Sequence, residues 1–321
     1  MTDDQIFAAR VREHYPEGLT GVFAIGGTRT TYILEKNRFA ENPGHIEDFD
    51  EQSVYLLNRY WEFVRTFIEL GGQNLIITAF SFRGFYNRGK EYGDLVIQEM
   101  RRFIDDSAQQ FYREYGIDPY FAGIDTLLLF EPDSPGYQMG QLLANFQQTW
   151  PYQDGRPKLV WEVASIPLYS FWQAFQQMPP EEQQALNTEL IAQDSLEDVN
   201  RALYRRFSFV AYGTDIPMPH FYLGTNKSGD LKWRSPLPLA LSGGDYLRMF
   251  YTPYPTLFTN KDVMRTIIED LAFKERFYSA KTDYAGQYTS ELAQAEYERV
   301  MELRSRPDET TLGLSRRVQP K

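Results

Sequence analysis

The chain has no cysteine, and that absence removes disulfides, thiolate nucleophiles and cysteine-ligated metals from consideration. Histidine is nearly as scarce. His14, His45 and His220 are the only three in 321 residues, too few and too scattered for a zinc site. Basic charge is short as well, with 33 Lys and Arg against 44 Asp and Glu and a net charge of −11. That balance argues against nucleic acid, whose binding rests on neutralising phosphates; it leaves room for a local basic pocket that takes a small anion. No apolar run approaches the roughly 20 residues of a membrane span. The start, Met1-Thr2-Asp3-Asp4-Gln5, is acidic where a signal peptide has an apolar segment. The expectation is a soluble, cytoplasmic protein. There is also no P-loop, no G-x-G-x-x-G after a strand and no G-x-S-x-G elbow.

Aromatic residues are plentiful: 22 Tyr, 23 Phe and 5 Trp make 16% of the chain. Most suit a large core, and some could line a cavity for a bulky hydrocarbon or a cation. With 42% hydrophobic residues the chain can bury such a core. Short apolar runs at 21–25, Leu75–Phe80, 119–130, Lys158–Val163, Phe207–Tyr212 and Pro236–Leu241 read as strands. Helical spacing marks 4–15, Ser53–Leu70, Tyr92–Tyr115, 136–149, Pro179–Arg206, Lys261–Tyr278 and Glu291–Arg304. The segment 35–50 reads as a loop, and its acidic run Glu47–Glu51 as a solvated lead into the next helix or a weaker candidate for Mg²⁺. Asp105-Asp106 reads as a solvated helix face. Alternation of the two periods predicts an α/β fold with a mostly parallel central sheet flanked by helices. We expect a single domain over 1–306, with 307–321 a charged tail.

In such a sheet, ligands sit beyond the carboxyl ends of the strands. Three loops there combine glycine, a hydroxyl and an arginine, the makings of a phosphate cradle. The first is Gly26-Gly27-Thr28-Arg29-Thr30. The second runs from Ser81 to Gly89 and holds Asn87 and Arg88. The third is Ser242-Gly243-Gly244-Asp245 with Arg248 after it. A plain βα turn would look the same as the first of these.

The order of pieces resembles the cis-prenyltransferase superfamily, the fold of undecaprenyl diphosphate synthase. Its first motif, Asp-Gly-Asn-x-Arg-Trp, lines up with Gly26 to Thr31, and a later Gly-His with Gly44-His45. Its Ala-Phe-Ser…Asn-x-Arg-Pro loop resembles Ala79-Phe80-Ser81 through Asn87-Arg88-Gly89. Its Thr-Gly-Gly-Glu resembles Ser242 to Asp245. The tuberculosinol- and kolavelool-type diterpene synthase branch is more similar still. Its Asp-Gly-Thr-Arg-Arg-Trp fits Gly27-Thr28-Arg29, and its Asp-Arg-Gly with a following tyrosine fits Asn87-Arg88-Gly89 and Tyr92.

The chain departs from the superfamily where the catalytic aspartate stands, which here is Gly26. Thr30 replaces the branch's second arginine, and Leu241 the elongases' arginine before Thr-Gly-Gly. Two-diphosphate elongation loses its ligands by these changes, whereas chemistry on one allylic diphosphate survives them better. The resemblance therefore implies a diterpene synthase that ionises an allylic diterpenyl diphosphate, bicyclic (such as kolavenyl or halimadienyl diphosphate) or linear, and quenches the cation with water. Gly27, Thr28, Arg29 and Arg88 would hold the diphosphate, and Tyr92 and Tyr55 would face the cation. Gly26, Thr30, His45, Ser81, Asn87 and Arg248 are further candidates. A Mg²⁺ cofactor and a homodimer are also implied, the metal without a clear ligand set. The alternative is a non-catalytic prenyl-diphosphate-binding or partner subunit of the same superfamily.

Overall fold

The computed structural model describes residues 2–39, 41, 46, 48–81, 90–226, 247–253, 260–274 and 290–305. Among the described residues six strands form one sheet: β1 (Leu19–Ala24), β2 (Gly72–Phe80), β3 (Asp118–Ala122), β4 (Lys158–Val163), β5 (Phe221–Asn226) and β6 (Arg248–Pro253). Their spatial order is β3-β4-β2-β1-β5-β6, and every pairing is parallel. The strands read as near-continuous apolar runs because helices cover both faces, as parallel sheets require. The α/β architecture with a parallel central sheet is as the alternating periods predict.

The helices are α1 (Asp3–His14), α2 (Thr28–Tyr32), α3 (Phe49–Glu69), α4 (Lys90–Arg101), α5 (Asp106–Glu114) and α6 (Ile124–Leu127). After these come α7 (Pro135–Thr149), α8 (Pro167–Gln177), α9 (Pro180–Ile191), α10 (Leu196–Tyr212), α11 (Lys261–Ala272) and α12 (Ser290–Arg304). Their starts obey side-chain capping rules. Thr2 forms a capping box with Gln5 at α1, and Asp48, Asp105, Ser134 and Ser195 accept the N–H three residues on at α3, α5, α7 and α10. Each such cap stabilises by about 1 kcal/mol.

The two faces of the sheet are unequal. Phe23, Leu75, Ile77, Leu159, Trp161, Phe221 and Leu223 face a large core completed by α1, α3, α4, α5, α7 and α11. Aromatic rings dominate it: Phe23 stacks on Phe63 at 3.8 Å and Trp161 on Phe103 at 4.3 Å. The Trp161 indole N–H donates to the buried Tyr112 hydroxyl at 3.0 Å, and that hydroxyl donates to the Phe103 carbonyl at 2.8 Å. The opposite face is smaller. Val22, Ala24, Ile76, Val160, Tyr120, Ala122 and Tyr222 meet Phe207, Ala211 and Tyr212 of α10.

Five expectations are corrected, the first being the helix over Pro179–Arg206, which is broken into α9 and α10 because Ser195 caps a new start. Phe207–Tyr212 is the end of α10 and not a strand. Its apolar run fits either period, and Gly213 ends the helix in a left-handed cap at φ +75°. The long helix expected over Tyr92–Tyr115 is broken into α4 and α5, because Asp105 caps a new start rather than extending a solvated face. The segment 35–50 is not all loop: helical backbone runs on from α2 through a π-turn, Ile33–Asn37. The strand region 119–130 stops at Ala122, where Gly123 turns at φ +100° against the Val163 carbonyl. The expected strand Pro236–Leu241 lies outside the described residues. The edge of the sheet next to β1 is instead built by β5 and β6.

Candidate functional site

The carboxyl ends of β1 and β2 lie side by side, with Ala24 opposite Thr78. From that rim β1 passes through buried Ile25 and Gly26 to Gly27. Gly27 sits at φ +79° and is the N-cap of α2, a left-handed conformation that a side chain would strain. Its carbonyl accepts both the N–H of Thr31 at 2.9 Å and the Thr31 hydroxyl at 3.0 Å, which ties the turn to the helix. The first N–H groups of a helix have no carbonyl partner within it and point toward its N-terminal end, which places those of Thr28, Arg29 and Thr30 on the side of the rim. Arg29 is exposed on the same turn.

What clamps this turn comes from a strand that sequence reasoning missed. Thr225, in β5 and nearly fully buried, accepts the Gly26 N–H at 3.0 Å and donates its hydroxyl to the Gly26 carbonyl at 3.2 Å. Both backbone groups of Gly26 are thereby satisfied by one side chain, which fixes where the chain leaves the sheet. A signal was present in the sequence: Thr225-Asn226-Lys227-Ser228-Gly229 has the same glycine, hydroxyl and cation content that marked the other loops. An expected strand at 207–212 hides it, because that leaves 221–226 without an element.

Tyr55 of α3 is brought toward this turn through Tyr32, whose ring it meets edge-on at 5.5 Å. Its π face is occupied by the chain's own cations, with Lys36 Nζ at 5.4 Å and the Arg59 guanidinium at 5.6 Å from the centroid. The Tyr55 hydroxyl accepts Arg59 Nε–H at 3.4 Å. This is a cation-facing ring, and the cations are internal. Burial, then the nearby Glu51 carboxylate, pushes the Tyr32 hydroxyl above its usual value.

Ser81 follows β2 at the same rim and is exposed. Asn87, Arg88 and His45 lie outside the described residues. Tyr92 belongs to the first turn of α4, and its side chain lies outside them as well. Arg248 is not brought to this rim. It opens β6 at the amino end of the sheet, where its N–H meets the His220 carbonyl. Its guanidinium pairs with Asp270 of α11 and lies 5.1 Å from the Phe250 ring centroid.

Near the same rim, on the α10 face, a row across the sheet runs Ala122, Glu162, Thr78, Ala24, Gly224. Glu162 is buried and accepts the Thr78 hydroxyl at 3.1 Å. Burial, then the Glu162 carboxylate, raises the hydroxyls of Tyr204 and Tyr212 well above the usual phenol range.

A Mg²⁺ ion finds no fitting ligand set among the described residues. Gly26 supplies no carboxylate, and no group of three or more acidic or histidine side chains converges there. Acidic residues at the start of α3 have other partners: Asp48 caps the helix at 2.9 Å and Asp50, in its first turn, pairs with Arg102. No helix among the described residues is long and apolar enough to cross a membrane.

No family model matches the chain, and no curated protein matches it in sequence. Solved structures do. The fold is similar to that of lavandulyl diphosphate synthase from Lavandula x intermedia, in complex with dimethylallyl diphosphate. The TM-score is 0.52 at 13% identity, over 81% of this chain and 97% of that one. A probable undecaprenyl diphosphate synthase from Campylobacter jejuni is similar at TM-score 0.49 and 14% identity, over 82% and 99%. The first likeness defines the class of fold, an α/β fold of the cis-prenyltransferase type, and at that identity it speaks for the fold alone.

Proposed function

We propose that this chain is a diterpene synthase that binds an allylic, bicyclic diterpenyl diphosphate at the turn after β1. The observation that carries the proposal is the left-handed Gly27 cap at the carboxyl rim of a parallel sheet, with Gly26 just before it clamped by Thr225. A fold shared with a synthase solved in complex with dimethylallyl diphosphate supports a prenyl diphosphate as the ligand.

In this reading the Gly27 and Thr28 backbone N–H groups, Arg29 and Arg88 take the diphosphate. The allylic C–O bond breaks heterolytically, and the electron pair leaves with the diphosphate. Donors arranged in advance around the developing charge lower that barrier. Water then adds to the carbocation, and the proton it sheds goes to the departed diphosphate, giving a terpene alcohol. Tyr92 is the ring that would face the cation; Tyr55, with its face on Lys36 and Arg59, would act by holding α2 against α3. No step is assigned to a metal. The chain works as a single cis-prenyltransferase-like domain over 1–306 with the tail 307–321, as a cytoplasmic homodimer.

Gly26, which stands where the superfamily has its catalytic aspartate and supplies no carboxylate, favours a second reading, a non-catalytic binder of prenyl diphosphates.

The test is incubation of the purified protein with geranylgeranyl, kolavenyl and halimadienyl diphosphates, with and without Mg²⁺, and product analysis by gas chromatography–mass spectrometry. A terpene alcohol that disappears in Arg29→Ala supports the synthase. Intact diphosphate binding with no turnover of any substrate supports the binder.

A further inference from the structure

Helices α5 and α7 leave a groove between them of about 300 Å³. The end of α7 shapes it: Trp150 has extended backbone at ψ 133° and Pro151 follows, so the helix stops short. Ile104, Leu142, Phe146 and Trp150 give the groove an apolar floor. That floor is fixed in place. The Phe146 ring stacks on Trp150 at 5.4 Å, Tyr112 meets Trp150 edge-on at 5.7 Å, and the Trp150 indole N–H is held by Asp118. Leu142 is 41% exposed there, an apolar side chain left open to the groove. One charged side chain lines the groove, and it is positive. Arg113 donates to the Gln109 side-chain oxygen at 2.9 Å, and Gln109 in turn donates to the Ile104 carbonyl at 2.9 Å. The relay holds the guanidinium 5.6 Å from the Trp150 ring centroid. Arg102 and Arg156, on either side of it in sequence, pair with Asp50 and Asp118. Among the described residues no carboxylate pairs with Arg113.

We propose that this groove binds a small amphipathic anion, with its hydrocarbon or ring on the Phe146–Trp150 floor and its carboxylate or phosphate on Arg113. The groove lies toward the amino end of the sheet, because α7 leads from it into β4. It is therefore separate from the turn after β1 and stands or falls without it. Volume selects a small molecule: about 300 Å³ is the lower end of the range for such sites. Charge selects the anion. In a chain with net charge −11, a groove whose one charged side chain is an arginine with no carboxylate partner is the reverse of its surroundings. Screening confines the repulsion from acids elsewhere to those within about 10 Å. Asp105, at the Ile104 end, is committed to capping α5. A guanidinium presents its donors as a planar fork that carboxylates and phosphates accept, and Gln109 takes up one arm only. The Thr149 hydroxyl is spent on the Asn145 carbonyl at 2.8 Å, which leaves the charge-assisted hydrogen bonding to Arg113. A polyanion is the poorer occupant, since its binding needs many cations and the groove supplies one.

Fluorescence titration of the full chain with 1-anilinonaphthalene-8-sulfonate, an apolar ring system with one anionic group, tests this. The dye is expected to bind the wild type, and octanoate and octyl phosphate to displace it about 10-fold better than 1-octanol does. The better of the two acids identifies the head group. In Arg113→Gln that preference should vanish while 1-octanol competes as before. Leu142→Trp fills the groove from an exposed position and should lose the dye with an unchanged circular dichroism spectrum. Inorganic diphosphate should leave the dye in place. A wild type that binds no dye overturns the proposal, and so does equal displacement by octanoate and 1-octanol. Dye retained by Leu142→Trp overturns the choice of groove. Dye displaced by inorganic diphosphate gives it to the turn after β1 and overturns the proposal while supporting an anion at that turn.

Discussion

The two ends of the sheet are built on opposite principles. At the amino ends of the strands, polar side chains are locked to one another. His220 accepts the Thr20 N–H at 3.0 Å, and Asn74 donates to the Thr20 hydroxyl at 3.1 Å. Asp118 accepts the Trp150 indole N–H at 3.1 Å and the Gln153 N–H at 3.0 Å, with Arg156 at 3.6 Å. Arg248 closes on Asp270. At the carboxyl end the residues are Gly26, Gly27, Thr28, Thr30 and Ser81, short side chains on turning backbone, and Thr225 clamps them. The closed end spends its polar groups on holding the strands in place. The other end keeps backbone donors directed at a rim where an anion can sit. If that division is right, substitutions at the first end should cost stability and leave binding alone, and the reverse should hold at the second.

The largest loss of stability is expected from Asp118→Ala. It strands a buried indole N–H, a backbone N–H and a partly buried guanidinium at once, and should cost about 3 kcal/mol. Urea denaturation reads it. A change under about 1 kcal/mol would mean that this end is less committed than its geometry.

Thr225→Val sits on the boundary between the two behaviours. It removes both hydrogen bonds to Gly26 and leaves a buried N–H and a buried carbonyl unpaired, for about 2 kcal/mol. Because the same bonds aim the turn, inorganic diphosphate binding should weaken as well. Calorimetric titration that shows unchanged affinity in a folded variant would separate the clamp from the site.

His220 gives the closed end a pH signature. Burial lowers its pKa below 6.5 in the folded chain, and its Nδ1 must be unprotonated to accept the Thr20 N–H. The unfolded chain therefore takes up the proton first. This stabilising contribution is complete above pH 6.5 and is lost as pH falls from there toward the folded value. Urea midpoints measured between pH 7.5 and 5.5 should fall further in the wild type than in His220→Gln. Equal slopes would remove His220 from the account. The effect is smaller than those above because the ring and its packing stay in place.

The contrast between the ends also explains how far the sequence could be read. The strands at Leu75–Phe80 and Lys158–Val163 were legible because buried parallel strands are unbroken apolar runs, and no helix competes for them over so few residues. The turn at Gly26-Gly27 was legible because a left-handed cap needs glycine. What stayed hidden depends on distant partners. Phe207–Tyr212 has the content of a strand, and only the amphipathic length that begins at Leu196 makes it the end of α10. Thr225 lies 199 residues from the glycine it clamps, a pairing that no local period records. Arg248 looked like part of a third phosphate loop because glycines precede it. Strand direction decides instead: it begins β6, so it sits at the amino rim, away from the turn.

The smallest expected change in stability belongs to Arg29→Ala, and it is the sharpest test of the comparison. Arg29 is exposed on the first turn of α2, so its loss should move the urea midpoint by less than about 0.5 kcal/mol. If the turn holds a diphosphate, the same loss removes a charge-assisted hydrogen bond, worth about 1.5–3 kcal/mol, or roughly a 10- to 100-fold fall in affinity. Arg248→Ala makes the mirror experiment. Its guanidinium is mostly buried against Asp270 and Phe250, so stability should drop by about 2 kcal/mol while inorganic diphosphate binds as before. Titration calorimetry beside urea denaturation on both variants gives four numbers. The division between a closed end and a binding end requires them to cross: binding lost where stability is kept, and stability lost where binding is kept. Two variants that lose both together would show that the anion, if it binds, is read by the fold as a whole and not by the turn after β1.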